Sequence, residues 1–170
     1  MQPLRQQQLY DALTSRILII DGAMGTMLQA YNPTIDDFLG LENCSEILNR
    51  SHPEWIQAIH RAYLEAGADI VETNSFQGSP IVLAEFGRAS DTHQLNVLAA
   101  QIARQAADEF STAAKPRFVA GSMGPTTKSI TLRGDVTMAE LSASYYAQAH
   151  GLLDGGVDLL LVETEDIMLW

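Results

Sequence analysis

Four short apolar runs alternate with amphipathic segments, and this alternation constrains the fold more than any other feature. The runs occupy residues 16–20, 69–73, 117–120 and 158–163. Their cores are continuously apolar, which is typical of strands covered on both faces. Strands that alternate with helices favour parallel pairing through right-handed crossovers. We therefore predict an α/β protein with a parallel sheet.

The segments between these runs carry start and stop signals for helices. Ser51 and Glu54 have the spacing of a capping box before a helical pattern that Gly67 ends. Thr137 and Glu140 have the same spacing before a later helix. Another helix is predicted where apolar residues recur at helical spacing between the second and third strands.

Two of the predicted strands follow similar sequences. Residues 66–73 read AGADIVET, and residues 155–164 read GGVDLLLVET. The separation of Asp and Glu differs by two residues between them. Side chains alternate between the two faces of a strand with a period of two residues. Glu72 and Glu163 therefore lie on the same face relative to the aspartate that precedes each of them. The echo indicates a repeated unit and slightly favours a functional role for the two acids.

Polar residues gather at the carboxyl ends of the predicted strands. In parallel α/β folds these ends form one rim, where ligands bind. Carboxylates, hydroxyls and an amide around a cleft suit a small amino acid. Backbone N–H groups of the glycine loops are able to bind the carboxylate of that amino acid. In chain order the rim residues are Asp21, Gly22, Gly25, Glu72, Thr73, Asn74, Gly121, Ser122, Gly124, Thr126, Glu163, Thr164, Glu165 and Asp166.

Each of these residues also has an ordinary structural interpretation. Asp21 with Gly22 is a common turn after a strand, and Thr73 or Asn74 could simply cap a helix. Residues 21–26 lack the spacing of a dinucleotide-binding loop. Cys44 is expected to be buried or incidental rather than a nucleophile. We assign no catalytic residue and no metal ligand, because the histidines show no metal-binding spacing: His52, His60, His93 and His150.

Length, charge and cysteine content exclude several classes of protein. A chain of 170 residues is too short for a complete eightfold barrel, which needs about 250. A net charge of −11 repels phosphate backbones, so we expect no nucleic-acid partner. We expect a cytoplasmic protein without a membrane partner, because we find neither a membrane span nor a signal peptide. One cysteine excludes a zinc site built from several thiolates of this chain.

Four ordered motifs resemble those of the homocysteine S-methyltransferase family. They are DGAMGT at 21–26, AYLEAGADIVETNSF at 62–76, GSMGPT at 121–126 and GVDLLLVET at 156–164. The resemblance extends over about residues 12–166. Residues 38–49 are more similar to the N-terminal homocysteine-binding module of the cobalamin-dependent methionine synthase branch than to the betaine-dependent branch.

The resemblance implies a (β/α)8 TIM-type barrel, of which residues 1–170 would be the N-terminal half with about the first four βα units. It implies binding of homocysteine, activation of its thiol on zinc held by three cysteines, and a methyl group from methylcobalamin recharged by methyltetrahydrofolate. The partners would be homocysteine and the cobalamin-carrying and folate-binding domains of the full-length protein. The family's zinc cysteines lie in the second barrel half, and Cys44 matches none of them. We therefore expect a fragment without zinc ligands that is incomplete for catalysis.

The resemblance also assigns individual residues of the site. Asp21 and Glu163 match acids that bind the homocysteine amino group. Gly22 and Ala23 match the backbone around its carboxylate, and the remaining matches at the rim are Thr73, Asn74 and Ser122. Three alternatives stay open: a self-associating half-barrel without activity, a cobalamin-independent homocysteine methyltransferase, and a barrel enzyme with other chemistry.

Overall fold

A computed structural model describes residues 3–130 and 134–164 and contains a parallel sheet flanked by helices. The three strands are β1 (Ile70–Glu72), β2 (Phe118–Met123) and β3 (Leu159–Val162), hydrogen-bonded in the order β1-β2-β3. The helices are α1 (Pro3–Ser15), α2 (Met24–Gln29), α3 (Leu48–Ser51), α4 (Pro53–Ala66), α5 (Pro80–Glu85), α6 (Thr92–Phe110) and α7 (Met138–Gly155). Short 3₁₀ turns cover Ser45–Ile47 and Ala89–Asp91. No helix in this part of the chain combines the length and apolarity needed to cross a membrane.

The predicted α/β class and the parallel pairing of the sheet are confirmed. Ile70 pairs with Phe118 between β1 and β2, and Ala120 pairs with Leu159 between β2 and β3. β2 continues through Met123, past the predicted end at Ala120, because β3 gives it a partner there.

The first predicted strand, residues 16–20, is reduced to a single parallel bridge between Ile20 and Ile70. The carbonyl of Ile19 accepts from the backbone of both Asp69 and Ile70, at 2.7 and 3.2 Å. The backbone N–H of Ile19 donates to the side chain of Asp69 at 3.0 Å rather than to a carbonyl. An aspartate side chain thus takes the place of a ladder partner, so the structure contains three of the four expected strands.

Two faces of the sheet bury different sets of side chains. One face packs against helices α4, α6 and α7, and the alanine-rich helix α6 lies close to the strands. The buried side chains of this layer are Leu64, Val71, Ala100, Ala103, Ala106, Ala107, Val119, Met123, Leu152 and Val157. The other face is covered by α1 through Leu9 and Ala12, which contact Ile70, Phe118 and Ala120. The strand period carries this second face onward to Glu72, Ser122 and Glu163.

The predicted sequence repeat corresponds to a repeated contact at the start of two strands. The Asp69 carboxylate accepts from the Ile19 backbone at 3.0 Å and pairs with Arg16 at 2.7 Å. The Asp158 carboxylate likewise accepts from the Val119 backbone at 2.8 Å, and it pairs with arginines. Each aspartate therefore ties its strand to the preceding segment of chain.

Helix boundaries follow the predicted signals in most places. Gly67 ends α4 with a φ of 116°, and Thr137 with Glu140 forms the complete capping box of α7. The predicted capping box at Ser51 is wrong, because Ser51 ends α3 and its hydroxyl donates to the Asp37 carbonyl at 2.7 Å. Helix α4 begins instead at Pro53, a favoured first helical residue.

Candidate functional site

A pocket of about 450 Å³ lies at the carboxyl ends of the strands. It is lined by all of the predicted substrate-binding residues except Asp21, namely Gly22, Ala23, Thr73, Asn74, Ser122 and Glu163. The sequence analysis did not single out Met24, Ser45, Ser75, Phe76 and Gln77, which line it as well. Of the predicted rim residues, Glu165 and Asp166 lie outside the described part of the chain.

Asp21 lies beside the pocket, where the bridge between residues 16–20 and β1 ends. Its backbone N–H donates to the Ile70 carbonyl at 3.0 Å, and both of its carboxylate oxygens lie 3.1 Å from the Glu72 nitrogen. Burial raises the pKa of Asp21 from 3.8 to about 7, although the hydrogen bond from Glu72 opposes the shift. The charge of Glu163 raises this pKa further.

Glu72 is a third acid of the site, which the sequence analysis placed at the rim without a ligand-binding role. Burial holds its pKa well above the usual range, and the charges of Glu163 and Asp21 raise that pKa further. The signal that identifies Glu72 is the sequence echo, since Glu72 and Glu163 end the two similar strands and line the same pocket.

Ser122 connects Glu163 to the sheet. Its hydroxyl donates to Oε1 of Glu163 at 2.5 Å, and its backbone N–H donates to the Thr73 hydroxyl at 3.0 Å. The Ser75 hydroxyl, 2.6 Å from that of Thr73, donates to the Ser122 carbonyl at 2.7 Å. The Thr73 and Ser75 hydroxyls thus fix Ser122, and Ser122 orients the carboxylate of Glu163.

Asn74 lines the pocket and also fastens its wall. Its side-chain amide donates to the Ser45 carbonyl at 2.8 Å and to Oδ1 of Asn49 at 3.2 Å. Asn49 returns a hydrogen bond to the Asn74 carbonyl at 2.8 Å. Nearby, the buried Glu46 carboxylate accepts from the Gln77 backbone at 2.8 Å. These contacts fasten the loop after β1 to the turn at residues 45–49.

The three carboxylates of Asp21, Glu72 and Glu163 have no cationic partner among the described residues. None of the ion pairs within residues 3–130 and 134–164 includes them. In the same ranges they do not form a group of three converging metal donors. A wider groove between α5 and α7 is lined by Lys128 and Glu140 but gathers no comparable set of acids. Within these ranges three carboxylates therefore gather at the pocket without a neutralising side chain.

Cys44 does not fit the zinc site that the sequence resemblance implies. It is fully buried against Ile47, Leu83 and Leu95, and burial raises the pKa of its thiol to about 11. A cysteine binds zinc as a thiolate, and the zinc site implied by the resemblance needs three cysteines where this chain has one. The expectation that Cys44 is buried is confirmed.

A carboxylate-lined pocket at the ends of parallel strands defines an α/β ligand-binding domain. The homocysteine S-methyltransferase family profile matches residues 18–167, and the chain belongs to this family. The family expected from the sequence motifs is thereby confirmed.

The chain is similar to much longer proteins. It is 47% identical over 161 residues to a methionine synthase of Mycobacterium tuberculosis, and this aligned region covers 95% of this chain and 13% of that protein. A methionine synthase of Mycobacterium leprae is 46% identical over 156 residues, covering 92% of this chain and 13% of that protein. The chain thus spans a small part of the length of these relatives.

Solved structures with a similar fold are those of the homocysteine methyltransferase MmuM from Escherichia coli. The oxidized form superposes with a TM-score of 0.72 at 31% identity, covering 89% of this chain and 55% of that one. The metallated form gives 0.73 at 29% identity, covering 94% of this chain and 57% of that one. The chain therefore spans little more than half of the MmuM chain.

Proposed function

We propose that this chain binds the amino-acid end of homocysteine within a protein that methylates the homocysteine sulfur to give methionine. The observation that carries the proposal is the cluster of Asp21, Glu72 and Glu163 without a cationic partner in the described ranges. An α-ammonium group supplies the positive charge that such a cluster lacks. Family membership supports homocysteine as the amino acid.

The pocket offers separate groups for the two ends of an amino acid. Asp21 and Glu163 bind the ammonium group, and Glu72 adds a third carboxylate next to them. The backbone of Gly22 and Ala23 lines the same cavity and is assigned to the substrate carboxylate. Ser122 keeps Glu163 oriented, so little rotamer freedom remains to be lost on binding.

The carboxylates change protonation when an ammonium group arrives. The raised pKa values of Asp21 and Glu72 mean that the empty site retains protons near neutral pH. An opposite charge nearby favours the ionised form, so binding of the ammonium group releases protons. The empty site thus avoids three unpaired negative charges in half-buried positions.

Methyl transfer needs a thiolate, and this chain contributes no group that activates the substrate sulfur. We place the zinc cysteines, and with them methylcobalamin and the folate-binding domain, in other parts of a longer protein. Identity to the methionine synthases, at 47%, exceeds identity to MmuM, at 31%, and supports the methionine synthase assignment over a cobalamin-independent enzyme.

We also propose that the chain is the N-terminal half of a barrel whose other half covers both edges of this sheet. Ile17 and Ile19 are 88% and 62% exposed at one edge, and Val162 is 56% exposed on β3 at the other. Exposed apolar strand edges act as templates for pairing. A clean dimer of the isolated chain in light scattering would instead support the self-associating alternative.

Calorimetric titration with homocysteine and with 4-sulfanylbutanoate, which lacks only the amino group, tests the binding proposal. We expect homocysteine to bind and the analogue to bind at least about tenfold more weakly, because a hydrogen bond to a charged group contributes about 1.5–3 kcal/mol. Equal affinity for the two compounds, or binding of neither, would contradict the assignment of the carboxylates to the ammonium group.

A further inference from the structure

Two histidines and an aspartate converge on the surface seam between α6 and α7. Nε2 of His93, from the first turn of α6, lies 2.9 Å from Oδ2 of Asp154 near the end of α7. Nδ1 of His150, one turn before Asp154, lies 3.3 Å from the same oxygen. One donor atom from each of the three residues lies within 4.8 Å of the other two.

The helix packing at this seam explains why the three side chains meet. His150 and Asp154 each precede a glycine, and these glycines let α6 approach α7 closely. A Cβ on Gly151 would lie 2.9 Å from the His93 carbonyl, and one on Gly155 would lie 2.5 Å from Cβ of Ala100. The seam therefore has no room for side chains at these two positions, and His93 is held beside the i,i+4 pair of α7.

We propose that His93, His150 and Asp154 form a binding site for a divalent transition metal ion of the zinc type. Imidazole nitrogens and a carboxylate oxygen are common ligands of such ions. Tetrahedral coordination with bonds of about 2.0–2.1 Å places neighbouring donors about 3.4 Å apart. The two separations from Asp154, 2.9 and 3.3 Å, are close to that spacing. The three side chains are about half exposed, which leaves the remaining position to water.

This metal site is distinct from the carboxylate pocket and from the zinc site of the family. It shares no residue with the pocket lining, and it contains no cysteine. A metal ion held here joins α6 to α7 and stabilises the folded chain, because the unfolded chain does not bring the three donors together. The histidines lie far apart in the sequence, so no spacing motif indicates the site.

Zinc titration of the metal-free chain tests the proposal by calorimetry and thermal unfolding. We expect binding of one zinc ion per chain together with a rise in Tm, and no effect of magnesium. His93→Ala and His150→Ala should each weaken zinc binding at least about tenfold, since even loss of a group behind a metal ligand costs 10–100-fold. Two further variants should bind zinc like the unaltered chain: His52→Ala, whose ring lies between Asp37 and Glu54, and Cys44→Ser.

Zinc binding that persists unchanged in both histidine variants would overturn the proposal, as would the absence of any binding. His93→Gln and His150→Gln replace the alanine variants if circular dichroism shows that the latter are unfolded. Neither outcome depends on homocysteine binding, which is measured separately on the same samples.

Discussion

Both carboxylate oxygens of Asp21 lie 3.1 Å from the backbone nitrogen of Glu72. This contact joins the end of the first apolar run to the end of β1, and it places the two acids side by side. Backbone N–H groups are the donors to the Asp21 carboxylate, and no arginine, lysine or histidine of the described residues pairs with it, so the charge of an ionised Asp21 is incompletely compensated in the empty site. In the proposed function, an ammonium group of the substrate provides the missing positive charge.

Replacing the acids should weaken homocysteine binding without unfolding the chain. Asp21→Asn and Glu163→Gln keep the size of the side chain and remove its charge. We expect each to raise the Kd for homocysteine by about ten- to a hundredfold, because hydrogen bonds to charged groups contribute about 1.5–3 kcal/mol. In the longer protein the same variants should raise the KM for homocysteine and leave the zinc content unchanged.

Glu65→Gln is the matched control for these variants, because Glu65 is an exposed acid on α4. Its Kd should equal that of the unaltered chain. Unaltered affinity in both Asp21→Asn and Glu163→Gln would refute the assignment of these acids.

Glu72→Gln tests the acid to which the sequence analysis gave no ligand-binding role. If Glu72 shares the ammonium group, Glu72→Gln should weaken homocysteine binding. It should also stabilise the empty chain at pH 8, because it removes a half-buried charge that lies close to two other carboxylates. Denaturant unfolding and calorimetry measure the two effects. A variant with unchanged affinity would show that Glu72 lies near the substrate without binding it.

The stability of the empty chain should have opposing pH dependences from Asp21 and His60. The pKa of Asp21 is raised from 3.8 to about 7, so the folded chain binds more protons in that window and stability falls as pH rises through it. Burial lowers the pKa of His60 from 6.5 to about 4, so the unfolded chain binds more protons and stability rises between these values.

Removing either group should shift the slope in denaturant unfolding between pH 4 and 7. The two replacements should shift it in opposite directions, while Glu72 contributes equally to both profiles. His60 is fully buried, and neither of its ring nitrogens has a partner among the described residues. His60→Leu should therefore leave a stability that falls with rising pH, and it should add about 3 kcal/mol at pH 4. Asp21→Asn should leave a stability that falls less steeply with rising pH than that of the unaltered chain, because the opposing contribution of His60 then faces Glu72 without Asp21. Parallel profiles for the two variants would contradict both assignments.

Gly124→Ala should displace Phe76 from the rim of the pocket. An added Cβ would lie 2.6 to 2.7 Å from ring carbons of Phe76. The ring is 37% exposed and is able to swing outward, so the expected loss of stability is about 1 kcal/mol, at the low end for overpacking. The Kd for homocysteine should rise, because Phe76 lines the cavity. Gly25→Ala, where a Cβ meets open space, should not lose stability.

The sequence predicted the strands correctly where a continuous apolar run forms backbone hydrogen bonds to its neighbours. It was wrong where a side chain takes the place of such a backbone partner. β1, β2 and β3 fall within or around the predicted runs. Residues 16–20 form only a bridge, because the Asp69 carboxylate takes the Ile19 N–H. The six-residue helix α2 is too short to show a helical period. Ser51 has the residue type of a cap but ends another helix.

The sequence predicted most of the residues that surround the pocket, but it did not predict the hydrogen bonds that each of them makes. The rim rule brought Asp21, Thr73, Ser122 and Glu163 together, because the carboxyl ends of parallel strands share one edge. Asn74 has the right position, yet its amide is used by Ser45 and Asn49, and no sequence pattern shows that pairing. The wall residues from the 45–49 turn are brought in by tertiary packing alone.

Carbon-detected NMR titration of the Asp21 side chain, with and without saturating homocysteine, tests the central claim most directly. In the empty chain we expect a pKa of about 7. Saturation with homocysteine should lower it by at least about one unit, because a nearby positive charge commonly lowers an aspartate pKa by about 1–3 units. Saturating 4-sulfanylbutanoate should not lower it. A pKa that stays near 7 with homocysteine bound would contradict the pairing of the carboxylate cluster with the substrate ammonium group.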